Sequence, residues 1–296
     1  MMSLFNSKEE LTAHFKGSVA LANGNVKLED AEKFRNLHLD GVVANAALNE
    51  NKEIKGLCRY IIKSVALELG IIPSSIQGLY EAMGKGEYHG FTVPAINIRG
   101  MPYQLSRSMF RSASKIDCGA LIFEIAKSEM GYTNQNTHEL AAVILAAAIK
   151  EKYQGPIFLQ GDHFQANAKS YATDKEKEVA GIKKLIKDAI NAGFYNIDID
   201  TSTLVTLDNP SVKEQQRLNF EVGAELTAYI RELEPKGVTI SVGGEIGEVG
   251  KVNSTEEELR AYMDNFLVCL KKSNSAYKGI SKISIQTGTS HGGTVL

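Results

Sequence analysis

The sequence has few cysteines, and their positions argue against two classes of protein. Only three occur among 296 residues, at Cys58, Cys118 and Cys269, and no two of them form a CxxC pair. Neither a disulfide framework nor a cysteine-based zinc knuckle is therefore expected. This usage fits a reducing compartment, so we expect a cytoplasmic location.

The sequence also lacks a strong charge of one sign and a long apolar run. Its 33 basic and 35 acidic residues nearly cancel, so no strong field attracts nucleic acid or an anionic membrane. No stretch approaches the roughly 20 apolar residues that span a bilayer. The start, MMSLFNSKEELTAHFKG, is too charged for a signal peptide. We expect neither nucleic acid nor a membrane as a partner.

Two regions of the chain differ in their periodicity. Residues 1–86 are expected to form a mostly helical N-terminal extension, because apolar residues recur there at three- and four-residue spacing. From residue 87 to residue 296, short β-rich runs alternate with longer amphipathic segments. The runs are residues 91–98, 119–126, 155–163, 195–202, 238–247 and 281–288. This alternation predicts βα units and a parallel sheet.

Two parallel folds compete for this pattern. A dinucleotide-binding fold would carry a glycine-rich turn after its first strand, but INIRGMPYQ has one glycine and no GxGxxG motif. A (β/α)8 TIM barrel places its chemistry at the carboxyl ends of many strands. Polar groups of this kind end or follow all six runs: Asn97, Glu124, Asp162 with His163, Asp198 with Asp200, Glu245 and His291. The α/β barrel is therefore the predicted fold.

Only six of the eight barrel strands can be recognised. The sixth run is followed by the last residues of the sequence, TSHGGTVL. An open six-stranded sheet would expose two edges and part of its core. We therefore expect a barrel truncated after strand six, which roughly 60 to 80 further residues or a partner chain would complete.

The histidines at these strand ends are candidate metal ligands. An isolated Asp-His pair is usually a satisfied polar pair, but Asp162 and His163 end a nearly apolar strand. There the imidazole can bind a metal and the carboxylate can act as an acid/base. His291 has glycines beside it, which let backbone amides approach an anionic ligand closely.

The carboxylates of the next two runs add to this set. Asp198 and Asp200 are two residues apart and face the same side of their strand. They are costly in a buried strand unless paired or metal-bound. Glu245 lies between glycines that leave room beside it. Two histidines with carboxylates suit a divalent metal, with zinc as the leading choice. Either a carboxylate completes the ligand set or the missing strands supply a histidine.

The chain from about residue 91 to residue 296 resembles the class II, metal-dependent fructose-bisphosphate and tagatose-bisphosphate aldolases. Five segments carry the resemblance in the family's order: VPAINI, LQGDHF, NIDIDTSTL, GGEIGEVG and IQTGTSHGG. The middle three are similar to the family's H-x-D-H, I-D-x-S and E-x-E-L-G-x-x-G segments, and the last to its G-x-x-H-G segment. The resemblance implies zinc-dependent, reversible cleavage of fructose or tagatose 1,6-bisphosphate to dihydroxyacetone phosphate and glyceraldehyde 3-phosphate.

The resemblance also implies a role for each matching residue. His163 and His291 would be catalytic zinc ligands, and Asp162 the acid/base at the C4 hydroxyl. Asp200 and Glu245 would form the secondary metal site of some members.

Substrate contacts are implied for two further residues. Asn97 would contact the sugar bisphosphate, and Gly292 would help to hold its phosphate and a monovalent cation. Family members are usually dimers or tetramers, so the resemblance also implies a homo-oligomer.

The sequence departs from the family at several positions. Gln160 replaces the first histidine of H-x-D-H, and Gly243 replaces the first glutamate of E-x-E. The glutamate that removes the ketone-side proton in some members corresponds to Asn253. Glu248 or a residue of the segment 254–258 is the expected substitute.

These departures leave alternatives open. One is a non-catalytic barrel subunit that stabilises or regulates a partner aldolase. Another is a metal-dependent aldolase for a different sugar phosphate. A metal-free mechanism would need a lysine at a strand end, for which Lys127 is the one candidate.

Overall fold

The computed structural model describes residues 4–22, 24–247 and 252–288. Its strands are β1 (Val19–Ala22), β2 (Asn25–Leu28), β3 (Ile71–Pro73), β4 (Ala95–Asn97), β5 (Ile122–Ala126), β6 (Gly155–Gln165), β7 (Asn196–Asp200), β8 (Ser241–Gly247) and β9 (Lys282–Ile285). Each of the six runs expected from the sequence corresponds to one of the strands β4 to β9, and β6 extends two residues beyond its run.

Helices alternate with these strands. They are α1 (Lys8–His14), α2 (Ala31–Lys33), α3 (Leu39–Leu48), α4 (Lys52–Glu68), α5 (Gln77–Gly84), α6 (Pro102–Lys115), α7 (Lys127–Thr133), α8 (Thr137–Lys150), α9 (Ala168–Thr173), α10 (Lys175–Ala192), α11 (Val212–Gln215), α12 (Arg217–Leu233) and α13 (Glu256–Ser273). A π-helical turn (Phe34–His38) precedes α3 and a 3-10 turn (Ser202–Leu204) follows β7. In the described part of the chain, no helix is both long and apolar enough to cross a membrane.

The chain folds into two compact units. The first consists of Met1–Ser74 and Thr92–Leu159, and the second of Ser75–Phe91 and Gln160–Leu296. The boundary between Leu159 and Gln160 falls within β6. The division expected near residue 86 stays a prediction.

The first unit combines helices with three short strand pairings. β1 and β2 form an antiparallel hairpin, β4 pairs with β5 in parallel, and β3 pairs in parallel with the start of β6. The helix α8 begins at an asparagine cap, Asn136, whose side chain accepts a hydrogen bond from Glu139 N. Every residue from Leu140 to Ile149 is buried, so α8 is a central core helix of this unit.

The second unit contains a parallel sheet whose strands follow the chain order β6, β7, β8, β9. Its register pairs Gln160 with Asn196, and Gly243 with Lys282. The longer helix between β6 and β7, α10, is capped by Asp174 and is followed by Gly193, whose φ of 102° is in the left-handed region that favours glycine. The predicted parallel α/β organisation is thus confirmed, and closure into a TIM barrel stays a prediction.

Two features fix the strands of the second unit. Aromatic and aliphatic side chains of α12 and α13 pack together in a core cluster with β8: Phe220, Ala224, Ala228, Ile246, Tyr262, Phe266 and Leu270. The segment before α5 contacts the first residues of β8 and β7. Ser75 Oγ accepts a hydrogen bond from Ser241 N (3.0 Å), and Ile76 N donates one to Asn196 Oδ1 (2.9 Å).

Candidate metal centre

A break in the regular pairing of β6 brings Asp162 and His163 to one site. The register between β6 and β7 shifts between Gly161 and Phe164, and His163 has a φ of 44°. This left-handed conformation is uncommon for a residue with a side chain and recurs at functional sites. Gly161 is required here, because a Cβ would lie 2.4 Å from Phe164 Cζ.

The side chains of His163, Asp200 and Glu245 converge in the second unit. Each offers one ligand atom, and these atoms lie within 4.8 Å of one another. The imidazole Nε2 of His163 is 3.7 Å from Glu245 Oε2 and 3.5 Å from Asp162 Oδ1. One imidazole nitrogen with two carboxylate oxygens is a donor set that suits a divalent cation such as zinc. We call these three residues the candidate metal site.

Hydrogen bonds orient the carboxylate of Asp200 within this site. The side chain is buried at the end of β7 and accepts hydrogen bonds from Ser202 N (3.0 Å) and Ser202 Oγ (2.7 Å). The amide of Gln165 also donates to it. Partners of this kind hold a ligand in one orientation, which favours metal binding.

The position of Glu245 is set from helix α12. Asn219 Nδ2 donates to the backbone carbonyl of Glu245 (2.9 Å). The same asparagine accepts hydrogen bonds from Thr201 Oγ1 at its Oδ1 (2.7 Å) and at its backbone carbonyl (2.8 Å). One buried asparagine therefore ties the end of β7 to β8.

The electrostatics of the candidate metal site favour a positive occupant. Burial, followed by the charge of the nearby Asp200, raises the pKa of Glu245 to about 7. Burial alone would lower the pKa of His163, but the carboxylates around it, Asp162 first, raise the pKa overall. Negative charge gathered in a partly desolvated site is stabilised by a proton or a bound cation.

A second group, the lysine cluster, consists of Gln160, Asp198 and Lys282. Lys282 Nζ lies 2.8 Å from Asp198 Oδ1 and donates a hydrogen bond to Gln160 Oε1. Burial raises the pKa of Asp198, while Lys282 acts to lower it. Gly243 leaves room for the ion pair, because a Cβ there would be 2.3 Å from Asp198 Oδ1.

Sequence reasoning missed Lys282 altogether. It lies in the segment SKISIQ, at the start of the sixth run, whereas attention to the carboxyl ends of strands singled out Lys127. Lys127 begins α7 in the first unit. A lysine on a strand expected to lie within the parallel sheet was the available signal, since a lysine that is partly withdrawn from solvent needs a partner.

The predicted substrate residue Asn97 lies in the first unit. Its Nδ2 donates to Glu129 Oε2 (2.9 Å), and this carboxylate also accepts from Ala126 N (2.9 Å) and pairs with Arg99. Glu124, on β5 of the same unit, is buried. The predicted residues His291, Gly292 and Glu248 lie outside the described residues.

Asn253 occupies the position of the family's ketone-side glutamate, and its side chain makes a structural contact. Asn253 Oδ1 accepts a hydrogen bond from Gly288 N (2.6 Å). In the segment 254–258, Ser254 Oγ donates to Gly247 O (2.8 Å). The carboxylate of Glu258 accepts from Thr255 N (2.6 Å) in the capping box of α13. Glu258 therefore has a structural role at this helix end, and its expected catalytic substitution stays a prediction.

Together, these features describe an α/β protein with a candidate divalent-metal site on its parallel strands. A model of the family described as "Fructose-bisphosphate aldolase class-II" matches residues 78–295. This match covers more than half of the chain, which therefore belongs to the class II fructose-bisphosphate aldolase family.

The other comparisons do not narrow the function further. No curated protein matches the chain significantly. One similar solved structure is that of a probable tagatose 6 phosphate kinase from Sinorhizobium meliloti 1021, at 18% identity and a TM-score of 0.49. The likeness covers 70% of this chain and 52% of that one, so the match spans about half the length of the solved protein.

Proposed function

We propose that the protein catalyses metal-assisted, reversible aldol cleavage of a ketose 1,6-bisphosphate of the fructose or tagatose type. The observation that carries the proposal is the candidate metal site, which lies beside Asp162 in a chain of the class II aldolase family. His163, Asp200 and Glu245 would hold the cation, with zinc preferred for this mixture of nitrogen and oxygen donors.

When bound, a divalent cation supplies Lewis-acid stabilisation of the negative charge that develops on the ketone side of the substrate. Asp162 takes the proton of the C4 hydroxyl as the C3–C4 bond breaks. The hydroxyl oxygen becomes the carbonyl oxygen of the aldehyde product, and the electron pair stays with the three-carbon fragment. In the condensation direction, Asp162 returns the proton. Its carboxylate lies 3.5 Å from His163 Nε2 and is 19% exposed, so it adjoins the candidate metal site and can still reach a substrate.

The test is a cleavage assay on both bisphosphates, with triose phosphate formation as the readout. We expect activity to be lost after treatment with EDTA and restored by zinc. Asp162→Asn should lower kcat by about 10²- to 10⁴-fold, the usual range for a general acid/base. Asp188→Asn is the matched control, because Asp188 pairs with Lys184 on the surface of α10 (2.7 Å).

Two results would contradict this proposal. One is cleavage that survives complete removal of metal and is instead blocked by borohydride, which would indicate a lysine Schiff base. The other is an Asp162→Asn variant as active as the Asp188→Asn control.

The lysine cluster favours a second candidate, a non-catalytic aldolase-like subunit that stabilises or regulates a partner enzyme. Gln160 and Gly243 stand where the family has a histidine and a glutamate, and both adjoin the ion pair of Lys282 with Asp198. This candidate predicts zinc binding without cleavage of either bisphosphate. A pull-down with a catalytically complete aldolase would then identify the partner.

A further inference from the structure

The lysine cluster brings a positive charge into an acidic part of the second unit. The ammonium of Lys282 has three partners there: Asp198 Oδ1 at 2.8 Å, Gln160 Oε1, and the ring of Tyr80 at 5.7 Å from its centroid. The side chain of Lys282 is 23% exposed and that of Asp198 is 24% exposed. This partial burial makes the ion pair stronger than one on the open surface.

A second carboxylate adjoins this pair. Carboxylate oxygens of Asp162 and Asp198 lie within 4.8 Å of each other. Asp200, two residues after Asp198, belongs to the candidate metal site with Glu245. Four carboxylates therefore occupy a small region of the second unit, and like charges so close repel one another unless cations intervene.

We infer that Lys282 is a tethered counter-cation that keeps Asp162 and Asp198 from holding a divalent ion. The inference rests on the proposed function in one respect, namely that the metal of the reaction binds at His163, Asp200 and Glu245. Lys282 is then a positioning residue that restricts divalent ions to this site and leaves Asp162 available for proton transfer.

The geometry around the ion pair supports a dedicated role for Lys282. At Gly243 a Cβ would lie 2.3 Å from Asp198 Oδ1 and 2.9 Å from Lys282 Cε, so the neighbouring strand has the one residue type that admits both side chains. The amide oxygen of Gln160 accepts from the ammonium without adding charge. The surroundings thus fit an ammonium bound to one carboxylate.

The test is a calorimetric titration of the metal-free protein with Mn²⁺ alone, followed by the same titration with Zn²⁺. We expect Lys282→Met to bind one more divalent ion per chain than the wild type. Asp198→Asn combined with Lys282→Met should lose this additional ion again. Lys278→Met is the matched control, since Lys278 pairs with Glu81 (3.3 Å) on an exposed part of the unit and its loss should leave the stoichiometry unchanged.

An unchanged stoichiometry in a folded Lys282→Met variant would overturn the inference. If Lys282→Met does not fold, the double variant decides, because it removes both charges of the pair. Folding of the double variant would support a counter-cation role. A double variant that also fails to fold would show that Lys282 acts through packing, and would overturn the role.

The outcome is separable from that of the proposed function. A wild type that binds metal but cleaves neither bisphosphate contradicts the catalytic proposal, while an additional ion in Lys282→Met still supports the role of Lys282. Conversely, a metal-dependent aldolase whose stoichiometry does not depend on Lys282 retains its proposed function and loses this inference.

Discussion

Gly243→Ala should destabilise the second unit strongly, because it inserts a methyl group into the ion pair of the lysine cluster. The added Cβ would lie 2.3 Å from Asp198 Oδ1 and 2.9 Å from Lys282 Cε. The atom it meets is the carboxylate oxygen that pairs with Lys282 Nζ at 2.8 Å, so Asp198 cannot move away from the methyl group without disturbing that pair. One of the two side chains must therefore move, and the pair is stretched or broken.

The expected magnitude combines two effects. Overpacking a well-packed site costs about 1–3 kcal/mol. Breaking a fully buried ion pair costs about 3–5 kcal/mol, and the partial exposure of Lys282 and Asp198 reduces that figure. We therefore expect a loss of about 2–4 kcal/mol in the free energy of unfolding.

Urea denaturation followed by circular dichroism measures this loss. The matched control is Gly181→Ala, within α10, where a Cβ would meet nothing within 4 Å. Alanine is the better helix former by about 0.5–1 kcal/mol, so the control should be slightly more stable than the wild type. A Gly243→Ala variant within about 0.5 kcal/mol of the wild type would refute the reasoning.

A double-mutant cycle with Asp198→Ala isolates the cause. When the carboxylate is absent, the new methyl group has space, and Gly243→Ala should cost less by at least about 1 kcal/mol. Additive losses would mean that the strain arises elsewhere.

Three further variants test other parts of the structure. Arg231→Met should cost about 3 kcal/mol in urea denaturation, because the guanidinium donates to backbone carbonyls including Ile240 O (2.7 Å) and Gly279 O (2.9 Å); the exposed Arg260→Met should cost little. Asn219→Ala should weaken Zn²⁺ binding about 10-fold or more in a calorimetric titration, since it releases the backbone of Glu245; an unchanged Kd would contradict this. The pKa of His38 is lowered, mainly by burial and then by the charges of His14 and Lys33. The unfolded chain therefore binds more protons, so stability is fully present above the unfolded pKa of about 6.5 and is lost as the pH falls through the folded pKa. His38→Phe should therefore lose less thermal stability than the wild type as the pH falls. An unaltered dependence of thermal stability on pH would contradict this role of His38.

The strands β4 to β9 could be predicted because buried parallel strands form compact apolar runs between longer helical segments. The boundaries were predicted less closely: the first run, residues 91–98, contains a strand of only three residues, Ala95–Asn97. The hairpin of β1 and β2 and the short β3 were not predicted. Strands of three or four residues have too few alternating positions to stand out from helical periodicity. For β3 the pairing partner, the start of β6, is also remote in sequence.

The functional residues likewise divide into those that the sequence predicts and one that it does not. His163, Asp200 and Glu245 could be proposed from the sequence because each occupies a polar position at the end of an apolar strand. The role of Lys282 could not, because it depends on the register that places β9 beside Gly243 and on the side-chain reach to Asp198. Sequence patterns predict which face a strand residue occupies, but not which residue on another strand it meets.

The two departures from the family motifs at Gln160 and Gly243 have one physical explanation. A glutamate at position 243 would begin with a Cβ 2.3 Å from Asp198 Oδ1, so it is incompatible with the ion pair as it stands. A histidine at position 160 would have to present an unprotonated nitrogen to the ammonium of Lys282, whereas the glutamine oxygen accepts its hydrogen bond without titrating. Restoring either family residue alone would therefore place it against Lys282 or Asp198. The three positions are therefore coupled through the ion pair of Lys282 with Asp198.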